Sequence, residues 1–202
     1  MNELQHDVPR ETLERLHVFE DLVIKWTPTI NLVSRESSKV LWDRHVLDSL
    51  QMFRAAPPNF ASWADIGSGG GFPGIVVAIL AGDLPRAPKI TLVESDARKC
   101  AFLRTALRET GSVAEVINDR IELAEPLETD VLSARALANL NTLLGFAERH
   151  LSASGTALFA KGARWQEEVV AAKSKWRFDY DVVKSELEAD AAILRITGVS
   201  RV

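Results

Sequence analysis

The stretch DIGSGGGFPG at 65–74 places five glycines within ten residues. It follows a short strand-like segment, ASWADIG at 61–67, and precedes an apolar helical segment, GIVVAILAG at 74–82. Glycine adopts positive φ at little cost and has no Cβ, so this loop lets the backbone approach a ligand closely. A glycine-rich turn between a strand and a helix is typical of nucleotide-binding α/β folds.

Strand-like and helical segments alternate along the rest of the chain. Strands are predicted at 61–67, 89–95, 114–118, 129–136, 155–162, 178–186 and 191–199, and helices at 74–82, 96–111, 137–151 and 164–176. Such alternation requires crossover connections and predicts an α/β, Rossmann-like fold with a mostly parallel seven-stranded sheet. The last two strands have no helix between them, which predicts an antiparallel strand near the C-terminus.

Two helical segments precede the sheet. At 10–26 the apolar residues recur at helical spacing, and a second helix is predicted over 36–54 with Ser37 or Ser38 as its cap. Ala-Pro-Pro-Asn at 56–59 is typical of a connector. We therefore expect an N-terminal helical extension over 1–58 and a Rossmann-like domain over 59–202, packed as one compact unit.

Composition limits the classes of function. The chain has 202 residues, a net charge of −4 and a single cysteine, Cys100, which fits a reducing cytoplasm and rules out an internal disulfide. No apolar run reaches the roughly 18 residues of a membrane span, so no membrane partner is expected. The negative net charge argues against a protein that mainly binds naked nucleic acid, although it is compatible with a local basic face.

The glycine loop fits two kinds of ligand. Gly69-x-Gly71-x-x-Gly74 satisfies the dinucleotide fingerprint, with Glu94 placed 20 residues later to hold a ribose. Asp65-x-Gly67-x-Gly69-x-Gly71 is instead the motif with which class I methyltransferases bind S-adenosylmethionine. Glu94 serves either interpretation, because both ligands carry a ribose.

Three features favour S-adenosylmethionine. Asp65 stands where dinucleotide folds usually keep an apolar residue. The chain is too short for a separate substrate domain, and the final pair of strands fits the antiparallel end of a methyltransferase sheet. An oxidoreductase that uses a dinucleotide therefore becomes the less favoured alternative.

Seven short blocks resemble one known family. They are NLVS at 31–34, RHVLDS at 44–49, DIGSGGGFPG at 65–74, LVES at 92–95, KCAFLR at 99–104, SARA at 133–136 and AKG at 160–162. In order and spacing they resemble the bacterial 16S ribosomal RNA guanine-N7 methyltransferases, also called the glucose-inhibited division protein B family. The resemblance implies a class I S-adenosylmethionine-dependent methyltransferase that modifies N7 of a guanine in the small-subunit RNA.

The resemblance also implies the residues of the cofactor site. It places the cofactor against Gly67, Phe72, Ile121, Glu122 and Arg135, and the glycine motif adds Asp65, Gly69, Gly71 and Glu94. Asp119 competes with Glu122 as the acid beside the adenine. Gly70 departs from the family, because several relatives have proline there.

The chemistry of the implied reaction points to positioning. Guanine N7 carries a lone pair and no proton, so its attack on a methyl group needs no general base, and no metal is expected. Arg135 follows a strand at the carboxyl edge and is the best candidate for a catalytic role. Asn31, Arg44, His45 and Lys161 are the candidates for substrate binding.

The expected partner is 16S rRNA in the small ribosomal subunit or its assembly intermediate, with the chain acting as a monomer. Two basic patches are hypothesised, one from Arg35, Lys39 and Arg54 and one from Arg98, Lys99, Arg104 and Arg108. Two alternatives stay open: a methyltransferase for small molecules, and a cofactor-binding protein without catalysis.

Overall fold

A computed structural model describes residues 8–34, 36 and 40–202. The N-terminal part contains helix α1 (Arg10–Ile30), a π-helical turn (Trp42–Val46) and helix α2 (Leu47–Arg54). The predicted cap at Ser37 or Ser38, together with Arg35 and Lys39, lies outside the described residues. Within them, no helix is both long enough and apolar enough to cross a lipid bilayer.

The α/β alternation expected from the sequence is confirmed. The strands are β1 (Ser62–Ile66), β2 (Lys89–Glu94), β3 (Glu115–Asn118), β4 (Thr129–Arg135), β5 (Leu151–Lys161), β6 (Trp176–Lys184) and β7 (Ala192–Arg201). The helices among them are α3 (Gly74–Ala81), α4 (Ala97–Thr110), α5 (Leu140–His150) and α6 (Trp165–Ala172).

The strands form one seven-stranded sheet in the order β3-β2-β1-β4-β5-β7-β6. Strands β1 to β5 pair in parallel, whereas β7 lies between β5 and β6 and is antiparallel to both. The predicted antiparallel strand is therefore confirmed. The strand order reverses between β1 and β4, and open α/β sheets bind ligands at such a switch point, beyond the carboxyl ends of the strands.

Two apolar cores lie on the two faces of the sheet. Successive strand residues alternate between them, so Trp63 belongs to one core and Ala64 to the other. Helices α1 to α4 pack on the first face, and α5 and α6 pack on the second. Leu16 and Phe19 of α1 are completely buried in the first core, so the N-terminal helices share a core with the sheet. The domain boundary at 58/59 stays a prediction.

The second N-terminal helix departs from the regular helix predicted over 36–54. Its residues Trp42–Val46 are wound as a π-helix, and the chain then continues as α2. The wider turn leaves backbone carbonyls free of their usual partners, and such turns often occur at functional sites. Here the carbonyl oxygen of Arg44 accepts a hydrogen bond from Arg135 at 3.2 Å.

Candidate functional site

The glycine loop follows β1 at the carboxyl edge of the sheet. Gly67, Gly69 and Gly71 all have positive φ, at 67°, 52° and 88°. A Cβ on Gly71 would lie 2.7 Å from Ile75 Cγ1 and 2.9 Å from Phe19 Cζ, so this glycine is required by the core beneath the loop. A Cβ on Gly69 would meet only the Gly67 carbonyl oxygen, at 3.6 Å, so its free side faces open space.

Asp65 organises the loop from below. Its side chain is 1% exposed and accepts hydrogen bonds from Ser133 Oγ at 2.6 Å and from the Gly74 N–H at 3.2 Å. Burial raises the pKa of Asp65 to about 6, although the hydrogen bonds from Ser133 and Gly74 and the charge of Arg135 oppose the shift. The carboxyl group thus joins β1, β4 and the start of α3.

Glu94 ends β2 and holds the loop from the side. One carboxylate oxygen accepts the Gly69 N–H at 2.8 Å, and the other accepts the Asp96 N–H at 2.8 Å. Each carboxylate oxygen can accept a further hydrogen bond. The residue expected to bind the ribose therefore also fixes the backbone of the glycine loop.

A cavity of about 390 Å³ opens beside this loop, and we call it the glycine-loop cavity. It is lined by Gly67, Gly69, Val93, Glu94, Ser95, Lys99, Asp119, Arg120, Ile121, Glu122, Arg135, Ala136, Leu137, Ala138, Thr142 and Phe146. Six of the residues predicted for the cofactor are thus brought together: Gly67, Gly69, Glu94, Ile121, Glu122 and Arg135. Asp119 lines the cavity as well, so both candidate acids face the same space.

Arg135 ends β4 and is bound to the N-terminal helices. Its guanidinium group donates to Asp48 Oδ2 at 2.9 Å and to the Arg44 carbonyl oxygen, and it contacts His45 Nδ1. It also lies over the ring of Phe72, 5.8 Å from the centroid. The Arg135 side chain is 19% exposed, so most of its surface contacts protein.

His45 is buried and neutral. Burial lowers its pKa to about 3, and the charges of Arg135 and Arg44 contribute to the shift. Because Nδ1 faces the guanidinium of Arg135, Nδ1 is the acceptor and Nε2 carries the proton. Nε2 has no hydrogen-bond partner among the described residues.

A second cavity, of about 420 Å³, lies on the other side of Arg135, and we call it the N-terminal cavity. Its walls come from the N-terminal helices, the ends of β4 and β5, helix α6 and the connection between β6 and β7. They include Asp43, Arg44, His45, Asp48, Arg135, Ala136, Lys161, Gly162, Glu168, Leu187 and Glu188. Arg135 and Ala136 line both cavities, so the two spaces meet at the end of β4.

Most charges of the N-terminal cavity are paired with one another. Arg44 donates to Glu188 Oε1 at 3.0 Å, and Lys161 lies 2.7 Å from Glu168 Oε2. The Lys161 side chain is 9% exposed, and it also donates to the Ala138 carbonyl oxygen at 3.0 Å. Burial raises the pKa of Asp48, and Arg135 opposes that shift.

Four residues predicted for the site line neither cavity. Asp65 and Gly71 lie beneath the loop, and Phe72, 7% exposed, packs against Phe19 and His45. These three shape the loop from inside the protein, because their positions face the core. Asn31 ends α1 in the left-handed conformation (φ 52°), and its N–H donates to the Thr27 carbonyl oxygen. Its contact with substrate stays a prediction.

Several residues of the site were not singled out in the sequence. Asp48 and Ser133 lie in the quoted blocks RHVLDS and SARA, and the i, i+3 spacing of His45 and Asp48 would have placed both on one helical face. Glu168 and Glu188 have no local signal, because they reach the cavity only through the tertiary fold.

The hypothesised basic face on α4 carries charges that are partly neutralised. Arg98 pairs with Asp96 at 3.0 Å and Arg108 pairs with Glu109 at 2.9 Å. Arg104 donates to the Val116 carbonyl oxygen at 3.0 Å. The exposed arginines therefore present less net positive charge than their spacing in the sequence suggested.

The fold is that of S-adenosylmethionine-dependent methyltransferases. The chain resembles a TehB-like SAM-dependent methyltransferase from Corynebacterium glutamicum with a TM-score of 0.58 and 15% identity, over 90% of this chain and 98% of the other. It resembles TYW2 of M. jannaschii, solved in complex with AdoMet, with a TM-score of 0.57 and 14% identity, over 78% and 76% of the two chains.

The family is shown by sequence. Residues 12–194 match the profile of GidB, rRNA small subunit methyltransferase G. The chain is 59% identical over 199 residues to the ribosomal RNA small subunit methyltransferase G of Ruegeria sp. (strain TM1040), covering 98% of this chain and 97% of that protein. It is 49% identical to the protein of that name from Paracoccus denitrificans, over 95% and 97%. The chain belongs to the GidB family, which confirms the resemblance noted in its sequence.

Proposed function

We propose that this protein transfers a methyl group from S-adenosylmethionine to N7 of a guanine in the 16S rRNA of the small ribosomal subunit. The observation that carries the proposal is the pair of cavities that meet at Arg135 and Ala136. A methyl transfer needs two adjoining sites, one for the cofactor and one for the acceptor base. Membership of the GidB family supports the choice of ribosomal RNA as substrate.

The glycine-loop cavity fits a nucleoside cofactor. Gly69 turns its open side away from the core, and Glu94 offers a carboxylate at the end of β2, where a ribose diol is commonly held. The volume of about 390 Å³ is within the range of small-molecule sites. S-adenosylmethionine, when bound, supplies an electrophilic methyl group on a sulfonium centre. Gly67, Gly69, Glu94, Ile121 and Glu122 are the residues that we expect to hold it.

The residues at the junction suit catalysis by positioning. Guanine N7 attacks with its lone pair, so no side chain has to remove a proton. His45 is in any case no general base, because its Nδ1 lone pair is engaged by Arg135. Arg135, held by Asp48 and by the Arg44 carbonyl oxygen, has a fixed direction at the boundary of the two cavities. We expect it to align the base with the methyl group.

The N-terminal cavity suits a guanine within RNA. Arg44 and Lys161 are cations that can contact a phosphate or guanine O6, and N7 methylation gives the base a positive charge. Asp48 and Glu188 lie in the same wall and provide the negative potential that such a product favours. The acidic net charge favours a structured ribonucleoprotein over naked RNA as substrate. The proposal includes a monomer that works in the cytoplasm.

The test uses small ribosomal subunits from cells that lack this protein. Purified protein and methyl-labelled S-adenosylmethionine are added to the subunits, to an assembly intermediate and to deproteinised 16S rRNA, and 7-methylguanine is mapped. We expect label at a single guanine, with particles as better substrates than free RNA. Label in small molecules alone would favour the alternative methyltransferase. Binding of the cofactor without any transfer would leave only a cofactor-binding protein.

A further inference from the structure

Helix α5 contributes to the wall of the glycine-loop cavity, and its last two residues contact the turn that follows β3. Thr142 and Phe146 line the cavity from this helix. The turn at residues 119–124 follows β3 and contributes four residues to the cavity wall. Among the described residues, the backbone hydrogen bonds within this turn run only from the Leu123 and Ala124 N–H groups to the Arg120 carbonyl oxygen.

His150, the last residue of α5, holds this turn through one hydrogen bond. Its side chain is completely buried, and Nε2 lies 3.1 Å from the Ile121 carbonyl oxygen. A carbonyl oxygen can only accept, so Nε2 carries the proton. Nδ1 is then without a proton and has no partner among the described residues. Burial lowers the pKa of His150, which keeps the ring in this neutral form.

Arg149, the preceding residue, holds the same turn at a second point. Its guanidinium group donates to the Ala124 carbonyl oxygen at 2.9 Å. Ile121 and Ala124 are buried, at 7% and 5% exposure, whereas the remaining residues of the turn are exposed. Two adjacent side chains of α5 therefore bind the carbonyl groups of the two residues that anchor the turn.

We propose that His150 and Arg149 are positioning residues that fix the turn at 119–124 and thereby set the affinity for the nucleoside half of the cofactor. The inference rests on the proposed function, because it takes the cavity to be the S-adenosylmethionine site. Neither side chain lines the cavity, so both act through the backbone of the turn. Loss of the His150 donor leaves the Ile121 carbonyl group buried without a partner, which drives the turn outwards.

The experiment compares His150→Leu with His150→Gln in the full chain. Leucine removes the donor, whereas the glutamine amide keeps an N–H at a similar distance from the backbone. Calorimetry with S-adenosylhomocysteine and with 5′-methylthioadenosine measures Kd for the whole cofactor and for its nucleoside half. We expect His150→Leu to weaken both ligands about 10-fold, and His150→Gln to recover most of that loss. The methyl-transfer KM for the cofactor should rise while kcat stays close to that of the wild type.

Two further variants separate positioning from general stability. Val169→Ala creates a defect in the same core, at a residue 3% exposed on α6, and should lower Tm without changing either Kd. Arg149→Gln removes the second contact from an exposed residue and should weaken both ligands about threefold. If His150→Leu does not fold, the affinities of Arg149→Gln for the two ligands test the proposal instead.

Three results would overturn the inference. The first is wild-type affinity in folded His150→Leu, or in Arg149→Gln where the leucine variant does not fold. The second is an equal loss of affinity in Val169→Ala. The third is a wild-type protein that binds neither ligand, in which case the proposed function fails as well. The wild-type measurement therefore distinguishes failure of the inference alone from failure of both.

Discussion

The two cavities share a wall, but their linings come from different parts of the chain. The glycine-loop cavity is lined by short segments at the carboxyl ends of β1 to β4, together with Thr142 and Phe146 of α5. The N-terminal cavity contains charged side chains that pair between different elements of the fold; Arg44 and Glu188, for example, are 144 residues apart. The proposed cofactor, which is the same in every reaction, suits a site built on the ends of neighbouring strands of one sheet. The proposed RNA site suits paired charges, because those pairs can exchange partners when a polyanion arrives.

Replacing Arg135 by lysine should have the largest effect, because Arg135 joins the two cavities. Lysine keeps the charge but cannot contact His45, Asp48 and the Arg44 carbonyl oxygen from one planar group. We expect kcat for methyl transfer to fall by about 100-fold, as small displacements of aligned groups do. Steady-state methylation with saturating cofactor and saturating small subunits measures kcat.

The matched control is Arg195→Lys. Arg195 pairs with Asp181 on the exposed β6–β7 surface, so the change should leave kcat near the wild-type value. If both variants retain full activity, Arg135 does not align the base with the methyl group, and the two cavities are not coupled through its side chain.

Two glycines of one loop should respond differently to alanine. Gly71→Ala puts a Cβ against Ile75 and Phe19 at positive φ, so stability should fall by about 3 kcal/mol. Gly69→Ala meets no such neighbour and should lower stability by only about 1 kcal/mol, the cost of its φ. Its methyl group enters the cavity, however, and should weaken binding of S-adenosylhomocysteine.

Chemical denaturation and calorimetry on both variants make this comparison. Equal losses of stability in the two variants would show that the loop is not divided into a core side and a cavity side.

Asp65 should give stability a specific dependence on pH. Its pKa is raised to about 6 in the folded protein, so the folded state retains a proton that the unfolded chain has already lost. The free energy of unfolding should therefore fall as pH rises from about 4 to about 6, by about 2–3 kcal/mol for this group. Asp65→Asn should lack this component.

Urea denaturation of both proteins between pH 4 and 7.5 isolates the contribution of Asp65, because the other titrating groups are common to both. Parallel stability curves for the two proteins would contradict the raised pKa.

Replacing Arg44 by alanine should have the smallest effect on stability. Arg44 and Glu188 are both about half exposed, and such pairs contribute less than about 1 kcal/mol. We nevertheless expect KM for the small subunit to rise several-fold, because a cation of the N-terminal cavity is lost, while Kd for the cofactor is unchanged.

Arg98→Ala is the control for this prediction, since Arg98 pairs with Asp96 outside the N-terminal cavity. A rise of KM in Arg98→Ala but not in Arg44→Ala would move the RNA surface from the N-terminal cavity to α4.

Much of the glycine-loop cavity could be predicted from the sequence because its signals are local. The DIGSGGGFPG loop, Glu94 at the end of the next strand and the segment with Ile121 and Glu122 each lie at a strand end, and parallel strands bring their carboxyl ends to one edge. Asp65 and Phe72 belong to the same loop motif and were predicted to contact the cofactor, but whether such residues face the ligand or the core depends on packing. The sequence pattern alone does not distinguish the loop residues that face the cavity from those that face the core.

The sequence by itself determined the order of the strands and helices, the antiparallel end of the sheet and the family, since periodicity and short motifs are properties of neighbouring residues. Only the tertiary structure decided that Arg135 is held by a π-helical turn, that Lys161 is paired with Glu168, and that His150 reaches the turn after β3. The Arg135 and His150 contacts join residues that are 91 and 29 positions apart, and the Lys161–Glu168 pair joins the end of β5 to α6. Their partners are chosen by how the helices pack on the sheet, and no local pattern records that choice.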